Sequence, residues 1–160
     1  MSELAGGEAR VAEELNRLGI AGEVRVMPAS TRSAAEAAAA VGCDVSQIVK
    51  SLIFRSINGD SPILVLTSGA NRVDEGRLAE IVGGPVERAT AEFVRARTGY
   101  AIGGVPPIGH LQTIDAYLDE HLLAHPVVWA AAGSPRAVFA VTPAELVRVT
   151  AAKVVALAAT

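Results

Sequence analysis

Two apolar runs, residues 48–55 and 62–67, are joined only by Ser56-Ile57-Asn58-Gly59-Asp60-Ser61. Asn-Gly supplies the positive backbone angles of tight hairpin turns, so this junction predicts an antiparallel strand pair, although the link is longer than two residues. Parallel neighbours need crossovers of a dozen residues or more. The junction therefore argues against a purely parallel, doubly wound sheet.

The first run carries an anomaly, Lys50, in Gln47-Ile48-Val49-Lys50-Ser51-Leu52-Ile53-Phe54. It is one of only two lysines. A cation in an apolar strand needs an anionic partner or an open cleft, because burying it unpaired costs several kcal/mol or drives off its proton. A sheet-end lysine that snorkels to solvent is the plainer alternative. The second anomaly is Gly99-Tyr100-Ala101-Ile102-Gly103-Gly104-Val105-Pro106-Pro107-Ile108-Gly109-His110, neither a helix nor a regular strand. Its glycines and proline pair describe a fixed loop presenting backbone groups at close range, or a tight corner of a small barrel. A cleft lysine and a rigid glycine loop together suggest a small polar or anionic substrate.

The remaining pattern predicts helices over 8–18, 33–42, 74–82, 90–97 and 142–149, and strands over 23–27, 113–118, 127–131 and 136–141. Ser33-Ala34-Ala35-Glu36 has capping-box spacing, Asp44-Val45-Ser46-Gln47 caps a further short turn, and Thr142-Pro143-Ala144-Glu145 adds a proline at the first helical position. Five or more strands with hairpin-like links and intervening helices give a mixed, curved α/β sheet. At 160 residues the chain suits one domain, 1–160, burying roughly two-thirds of its unfolded surface. With 51% hydrophobic but 4% aromatic residues, the core rests on Ala, Val, Leu and Ile.

A net charge of −3 disfavours coating nucleic acid by bulk positive potential but leaves room for a local basic patch. Cys43 is the only cysteine, which excludes an internal disulfide and a cysteine metal cluster within one chain. A reducing cytoplasm is expected. Residues 1–8 lack a basic-then-apolar leader, and no apolar stretch reaches 18 residues, so neither signal peptide nor membrane span is expected. The common nucleotide, zinc-protease and nucleophile-elbow motifs are absent. His121 and His125 can share a helix face, but no third metal ligand is announced, so no metal and no cofactor is expected. Cys43 stands near a helix start that would stabilise a thiolate, yet small buried cysteines are common.

Val49-Lys50-Ser51-Leu52-Ile53-Phe54, Leu64-Val65-Leu66-Thr67-Ser68-Gly69 and Gly103-Gly104-Val105-Pro106-Pro107-Ile108-Gly109 occur in this order. Together they resemble the YbaK/EbsC family of aminoacyl-tRNA deacylase domains, which also occurs as an editing insertion in bacterial prolyl-tRNA synthetases. The resemblance covers roughly residues 20–155. It implies one α/β domain with a strongly curved, barrel-like mixed sheet flanked by helices, and hydrolysis of the ester between a mischarged amino acid and the 3′-terminal adenosine of tRNA. Lys50, Gly103 and Gly104 correspond to the catalytic positions. Ser68, Pro106, Pro107, Ile108, Gly109, Gly133 and Ser134 are the implied substrate-binding positions. In this reading, backbone N–H groups of Gly103 and Gly104 stabilise the oxyanion while Lys50 holds the terminal phosphate or ribose. Pro135-Arg136 follows the later glycine turn, where relatives differ, so the reaction class carries over and a particular amino acid does not.

The implied partner is the tRNA acceptor end, with Arg72, Arg95, Arg97 and Arg136 as phosphate contacts and a synthetase as a further partner. A monomer is the default. Two other readings stay open: a non-catalytic module binding tRNA or a synthetase, and a hydrolase of small acyl esters or amides.

Overall fold

The computed structural model describes residues 6–160, so the reading of residues 1–5 as free of a leader lies outside the described residues. Helices are α1 (Gly6–Leu18), α2 (Ala34–Val41), α3 (Glu75–Val82), α4 (Ala91–Thr98) and α5 (Pro143–Thr150). Strands are β1 (Arg25–Val26), β2 (Ile48–Ser56), β3 (Ser61–Ser68), β4 (Val86–Arg88), β5 (Asp115–Asp119), β6 (Val128–Ala131), β7 (Ala137–Val141) and β8 (Lys153–Val155). The strands form one mixed, curved sheet in the order β1-β7-β6-β2-β3-β5-β8, with β4 added to β2. Edge strands β1 and β8 do not pair, so the sheet curves without closing.

Local chemistry sets the helix starts. Ser33 and Glu36 form the expected reciprocal capping box, and Thr142 and Glu145 another ahead of Pro143. Each box satisfies two otherwise orphaned backbone donors. Asp44 and Gln47 cap a 3₁₀ turn, Val45–Gln47, which delivers the chain into β2. Asp74 and Thr90 cap α3 and α4.

β2 and β3 are the antiparallel pair that the Asn58-Gly59 junction predicts, in register from Val49↔Ser68 to Ser56↔Ser61. The turn is completed by Asp60 at φ 51°, a left-handed conformation that aspartate tolerates. Alternation along β2 divides the core. Val49 and Ile53 face α1, α4, α5 and the glycine loop through Val11, Leu15, Val94, Val105 and Leu146. Leu52 and Phe54 face α3 and β8 through Leu78, Ile81 and Val155. Ile48 packs under α2 on Ala37 and Ala38.

Three expectations change. The strand expected over 23–27 contracts to Arg25–Val26, because only those residues meet β7 and Val26 stays 50% exposed at the sheet edge. Strands β4 and β8 were not foreseen; each is three residues long and exists through its partner rather than its own pattern. The segment holding His121 and His125 is a 3₁₀ helix, Glu120–Ala124, with His125 as its C-cap, so the two rings do not share an α-helical face.

Candidate active site at a break in the sheet

The side of β2 away from β3 is only partly covered. Strand β6 pairs with Ile48 and Val49, while β4 pairs from Phe54 to Ser56, with Ala89 N–H donating to Ile53 O at 3.1 Å. Among the described residues, no strand pairs with Lys50, Ser51 or Leu52 on that side. Gly69 N–H donates to Ile48 O at 2.7 Å, which places the backbone groups of even-numbered residues toward β3. By alternation, the N–H and C=O of Ser51 turn to the open side.

A cavity of about 350 Å³ occupies this break. Its apolar wall includes Val49, Ile53, Val94, Val105, Ala130 and Val138, while Thr31, Arg32, Lys50, Ser51, Arg88, Gly103 and Trp129 supply polar or aromatic groups. Two buried hydroxyls on this wall, Thr31 Oγ1 and Ser51 Oγ, are the buried side-chain polar atoms without a hydrogen-bond partner among the described residues.

Lys50 is half-buried, and its Nζ donates to Asn71 O at 2.6 Å. Burial, then the Arg88 and Arg72 cations, lower its pKa below a free lysine's, while Asp119 opposes them. Asp119 is fully buried at the end of β5. It accepts from Thr67 Oγ1 (3.0 Å), Ser68 N–H (3.4 Å), Asn71 Nδ2 (2.7 Å) and His121 N–H (3.0 Å). Burial raises its pKa, but these hydrogen bonds together outweigh burial and leave it below the usual carboxylate range. Asp119 thus fixes Asn71, whose carbonyl holds Lys50. His121 Nδ1 lies 2.8 Å from Asn71 Nδ2 at the solvent side of this chain of contacts.

The glycine loop brings Gly103 to the cavity and anchors it with Gly104. Gly103 sits at φ +97°, where a side chain would be strained, and an added Cβ would lie 2.7 Å from Arg32 Cγ. Its N–H has no partner among the described residues. The N–H of Gly104 donates to Ala101 O at 3.0 Å, and its carbonyl accepts from Gly133 N–H at 3.1 Å. Gly104 is therefore already committed, which leaves Gly103 as the available donor of the pair.

The other expected positions lie behind this surface. Ser68 is buried and donates through Oγ to Ser46 O at 2.9 Å. Ser134 Oγ donates to Glu8 Oε2 at 2.5 Å, and its backbone packs on Gly104. Pro106 O pairs with His110 Nε2 at 2.7 Å. Pro107, Ile108 and Gly109 line a second cavity, not the first.

Among the expected phosphate contacts, Arg97 pairs with Asp60 (3.4 Å) and Arg136 donates to Pro28 O at 2.5 Å, while Arg72 and Arg95 are exposed. Arg32 and Arg88 lie on the cavity itself, and Arg25 stacks 5.0 Å from the centre of the Trp129 ring. Sequence reading singles out Arg88 only as an arginine near the glycine loop that could meet a polyanion, and missed Arg25, Arg32, Thr31, Ser51 and Trp129. Ser51 lies in the Lys50 segment but was given no role there, the others lie in no recognisable motif, and strand register and the α2 approach bring them together. Cys43 is partly buried, and burial followed by Asp44 raises its pKa, which disfavours a reactive thiolate. Among the described residues no three metal-ligating side chains converge, and no helix is long and apolar enough to cross a membrane.

The cavity thus brings Lys50, Gly103, Arg32 and Arg88 together at the break in a curved mixed sheet. The model of the aminoacyl-tRNA editing domain matches residues 28–149, and the chain belongs to that family. The uncharacterized protein YwhH of Bacillus subtilis (strain 168) is 32% identical over 124 residues, 78% of each protein. A candidate Cys-tRNA(Pro)/Cys-tRNA(Cys) deacylase, EbsC of Enterococcus faecalis (strain ATCC 700802 / V583), is 27% identical over 127 residues, 74% of this chain and 77% of that one. The crystal structure of a candidate trans-editing enzyme for prolyl-tRNA synthetase superimposes with a TM-score of 0.93 at 50% identity, covering 99% of this chain and 100% of the other.

Proposed function

We propose that the protein hydrolyses the ester joining a mischarged amino acid to the 3′-terminal adenosine of tRNA, acting in the cytoplasm as a free-standing editing enzyme. The observation that carries this reading is the break in the sheet. It gathers Lys50, Gly103 and the open backbone edge of Ser51 on one cavity, with Arg32 and Arg88 at its wall. Helix α1 and strand β8 fall outside the matched residues but complete the same core and sheet, which supports one editing unit spanning the chain.

An aminoacyl ester is an activated acyl group, so orienting water and stabilising the tetrahedral oxyanion supply much of the rate without a protein nucleophile. Water oxygen bonds to the acyl carbon, the ester C–O bond breaks, and the terminal adenosine hydroxyl leaves with a proton. Gly103 N–H is the backbone group available to the oxyanion. Lys50, cationic and held by Asn71, meets the ribose or phosphate side of the ester or the developing charge. The exposed arginines Arg25, Arg32, Arg72 and Arg88 are the phosphate contacts, so binding weakens with rising salt along a shallow slope.

The test is a panel of mischarged tRNAs incubated with and without the protein. Turnover of at least one member well above solution hydrolysis supports the reading; saturable binding with no turnover of any member replaces it with a tRNA-binding module. Activity on a minimal ester that gains nothing from the tRNA body would make it a small-ester hydrolase.

A further inference from the structure

The proposed reaction uses Lys50 but leaves unused the side chain that ends the chain of contacts behind it, His121. Lys50 Nζ donates to the backbone carbonyl of Asn71 at 2.6 Å. Asn71 stands on the irregular link between β3 and α3, where its N–H donates to Ser68 O at 2.9 Å and its side chain supplies the remaining anchorage. The side-chain nitrogen has two N–H groups and spends both, one on Asp119 Oδ2 at 2.7 Å and the other on His121 Nδ1 at 2.8 Å. An amide nitrogen only donates, so Nδ1 must accept, which makes His121 the neutral tautomer with its proton on Nε2. Asp119 is fully buried, whereas the His121 side chain is 58% exposed on the 3₁₀ helix Glu120–Ala124. The Asn71 amide is thus clamped between a buried carboxylate and an imidazole that solvent reaches.

That 3₁₀ helix packs on β3, β5 and α5. β3 carries no charged residue, Asp115 lies at the far end of β5, and on α5 Glu145 closes the Thr142 cap while Arg148 donates to Leu18 O. Asp119 is the charged group beside the ring, its Oδ1 3.9 Å from Nδ1, while Glu120 and His125 flank His121 on its own turn and Lys50 and Arg72 adjoin Asn71. A proton on Nδ1 sets donor against donor. The new N–H then turns to Asp119, and the Asn71 amide keeps one acceptor of its two. We propose that His121 is a positioning residue for Lys50: its neutral Nδ1 holds the Asn71 amide and, through the Asn71 carbonyl, the ammonium at the cavity. This rests on the deacylase reading and adds a residue to it.

The experiment measures kcat/KM from about pH 5 to 8, the range in which an imidazole changes charge. The substrate is the mischarged tRNA that the wild type turns over fastest, and the wild type is compared with His121→Asn, His121→Ala and His125→Ala. In parallel, NMR follows the Asn71 side-chain amide and Lys50 Cε of the free protein over the same range, with Lys153 as the one other lysine signal. The wild-type rate should fall roughly three- to tenfold toward the acid end, the effect of one lost hydrogen bond. His121→Asn offers a side-chain oxygen that accepts without titrating, so it should keep the neutral-pH rate within about twofold and lose the acid fall. His121→Ala should be slower at neutral pH by roughly the same three- to tenfold, also without the fall, and His125→Ala should keep the wild-type profile. The Asn71 and Lys50 signals should move with His121 ionisation in the wild type and stay fixed in His121→Asn. Urea unfolding shows whether each variant is folded, and if His121→Ala is not, the asparagine profile and the resonances decide. An acid fall that His121→Asn retains or His125→Ala abolishes, a folded alanine variant with the wild-type rate, or signals indifferent to His121 ionisation overturns the proposal. If no ester turns over, the deacylase reading fails, and the resonances alone uphold or overturn the link from His121 to Lys50.

Discussion

The glycine-proline loop separates two cavities of nearly equal volume, about 350 and 380 Å³, and they differ in what their walls leave unsatisfied. Gly103 and Val105 line the first cavity, while Pro107, Ile108, Gly109 and His110 line the second. In the second, the half-buried polar groups His110, Thr150 and Glu14 already have partners. His110 pairs with Pro106 O, Thr150 donates to Leu146 O at 2.7 Å, and Glu14 is paired with Arg17. Burial holds His110 below its ordinary pKa despite the Pro106 contact, so it contributes no cation at neutral pH. Among the described residues, the first keeps two hydroxyls, one backbone N–H and a strand edge without partners, beside a lysine whose cation burial disfavours. Volume does not distinguish a site from a gap in packing; unsatisfied polar groups on rigid elements do.

The contrast makes the support of the first cavity its weakest point, and the largest effect is expected from Asp119→Ala. Thr67 Oγ1, Ser68 N–H and the Asn71 amide would lose their acceptor together. Several buried donors left unpaired cost about 3–5 kcal/mol, measured by urea unfolding, and deacylation should fall as Asn71 no longer fixes Lys50. The wild type carries the matching pH signature. Since the folded-state pKa of Asp119 is depressed, its contribution is complete above the unfolded aspartate pKa, about 3.9, and is lost as pH falls through the folded value. A variant as stable as wild type and equally active would show that the Asp119 contacts do not organise the site.

Lys50→Ala tests the site directly. Loss of tens- to a thousandfold in kcat/KM is expected, about 1.4–4 kcal/mol of transition-state stabilisation, with the fold nearly intact. The snorkelling alternative predicts an unchanged rate and a slight gain in stability. With its folded pKa below that of a free lysine, Lys50 costs stability while charged, and that cost is relieved as pH rises through the folded value toward the unfolded one. Over the same window the rate should fall in the wild type. A flat alkaline limb would remove the ammonium from the reaction.

Gly104→Ala is expected to have a smaller effect and to act through geometry. An added Cβ would lie 2.7–2.9 Å from the Ser134 backbone, so the loop must part from residues 133–134. Overpacking of this kind costs about 1–3 kcal/mol, and displacement of Gly103 should lower the rate as well. Unaltered stability would mean that the loop yields freely and that its rigidity is not what places Gly103.

How much of this was legible in the chain follows from the range of the interactions. The β2–β3 hairpin and the capping boxes at Ser33 and Thr142 are written within a few residues, and sequence patterns report such contacts well. Lys50 and the glycine loop stood out because each breaks a local rule. The break in the sheet is set by where β6 ends and β4 begins along β2, through pairings of two and three residues that leave no periodic trace. Thr31 and Ser51 are ordinary residues whose significance lies wholly in having no partner, which only the packed structure reveals. The same reasoning explains why Gly104, indistinguishable from Gly103 in the motif, has its N–H consumed by the turn from Ala101.

The smallest effect is expected in the second cavity, and it decides the comparison. Gln112 lines that space from an exposed position with no buried hydrogen-bonding role. Surface substitutions of this kind fall within about 0.5 kcal/mol, so Gln112→Ala should match the wild type in urea unfolding and stay within about twofold in kcat/KM. Measured beside Lys50→Ala on the same mischarged tRNA, it separates the two cavities without appeal to their shape. A rate loss at Gln112 comparable to that at Lys50, with stability unchanged, would move the site across the loop. The partnered polar groups around His110 would then have to exchange their present contacts for substrate, a rearrangement that the wild type would show as a change in His110 titration on binding.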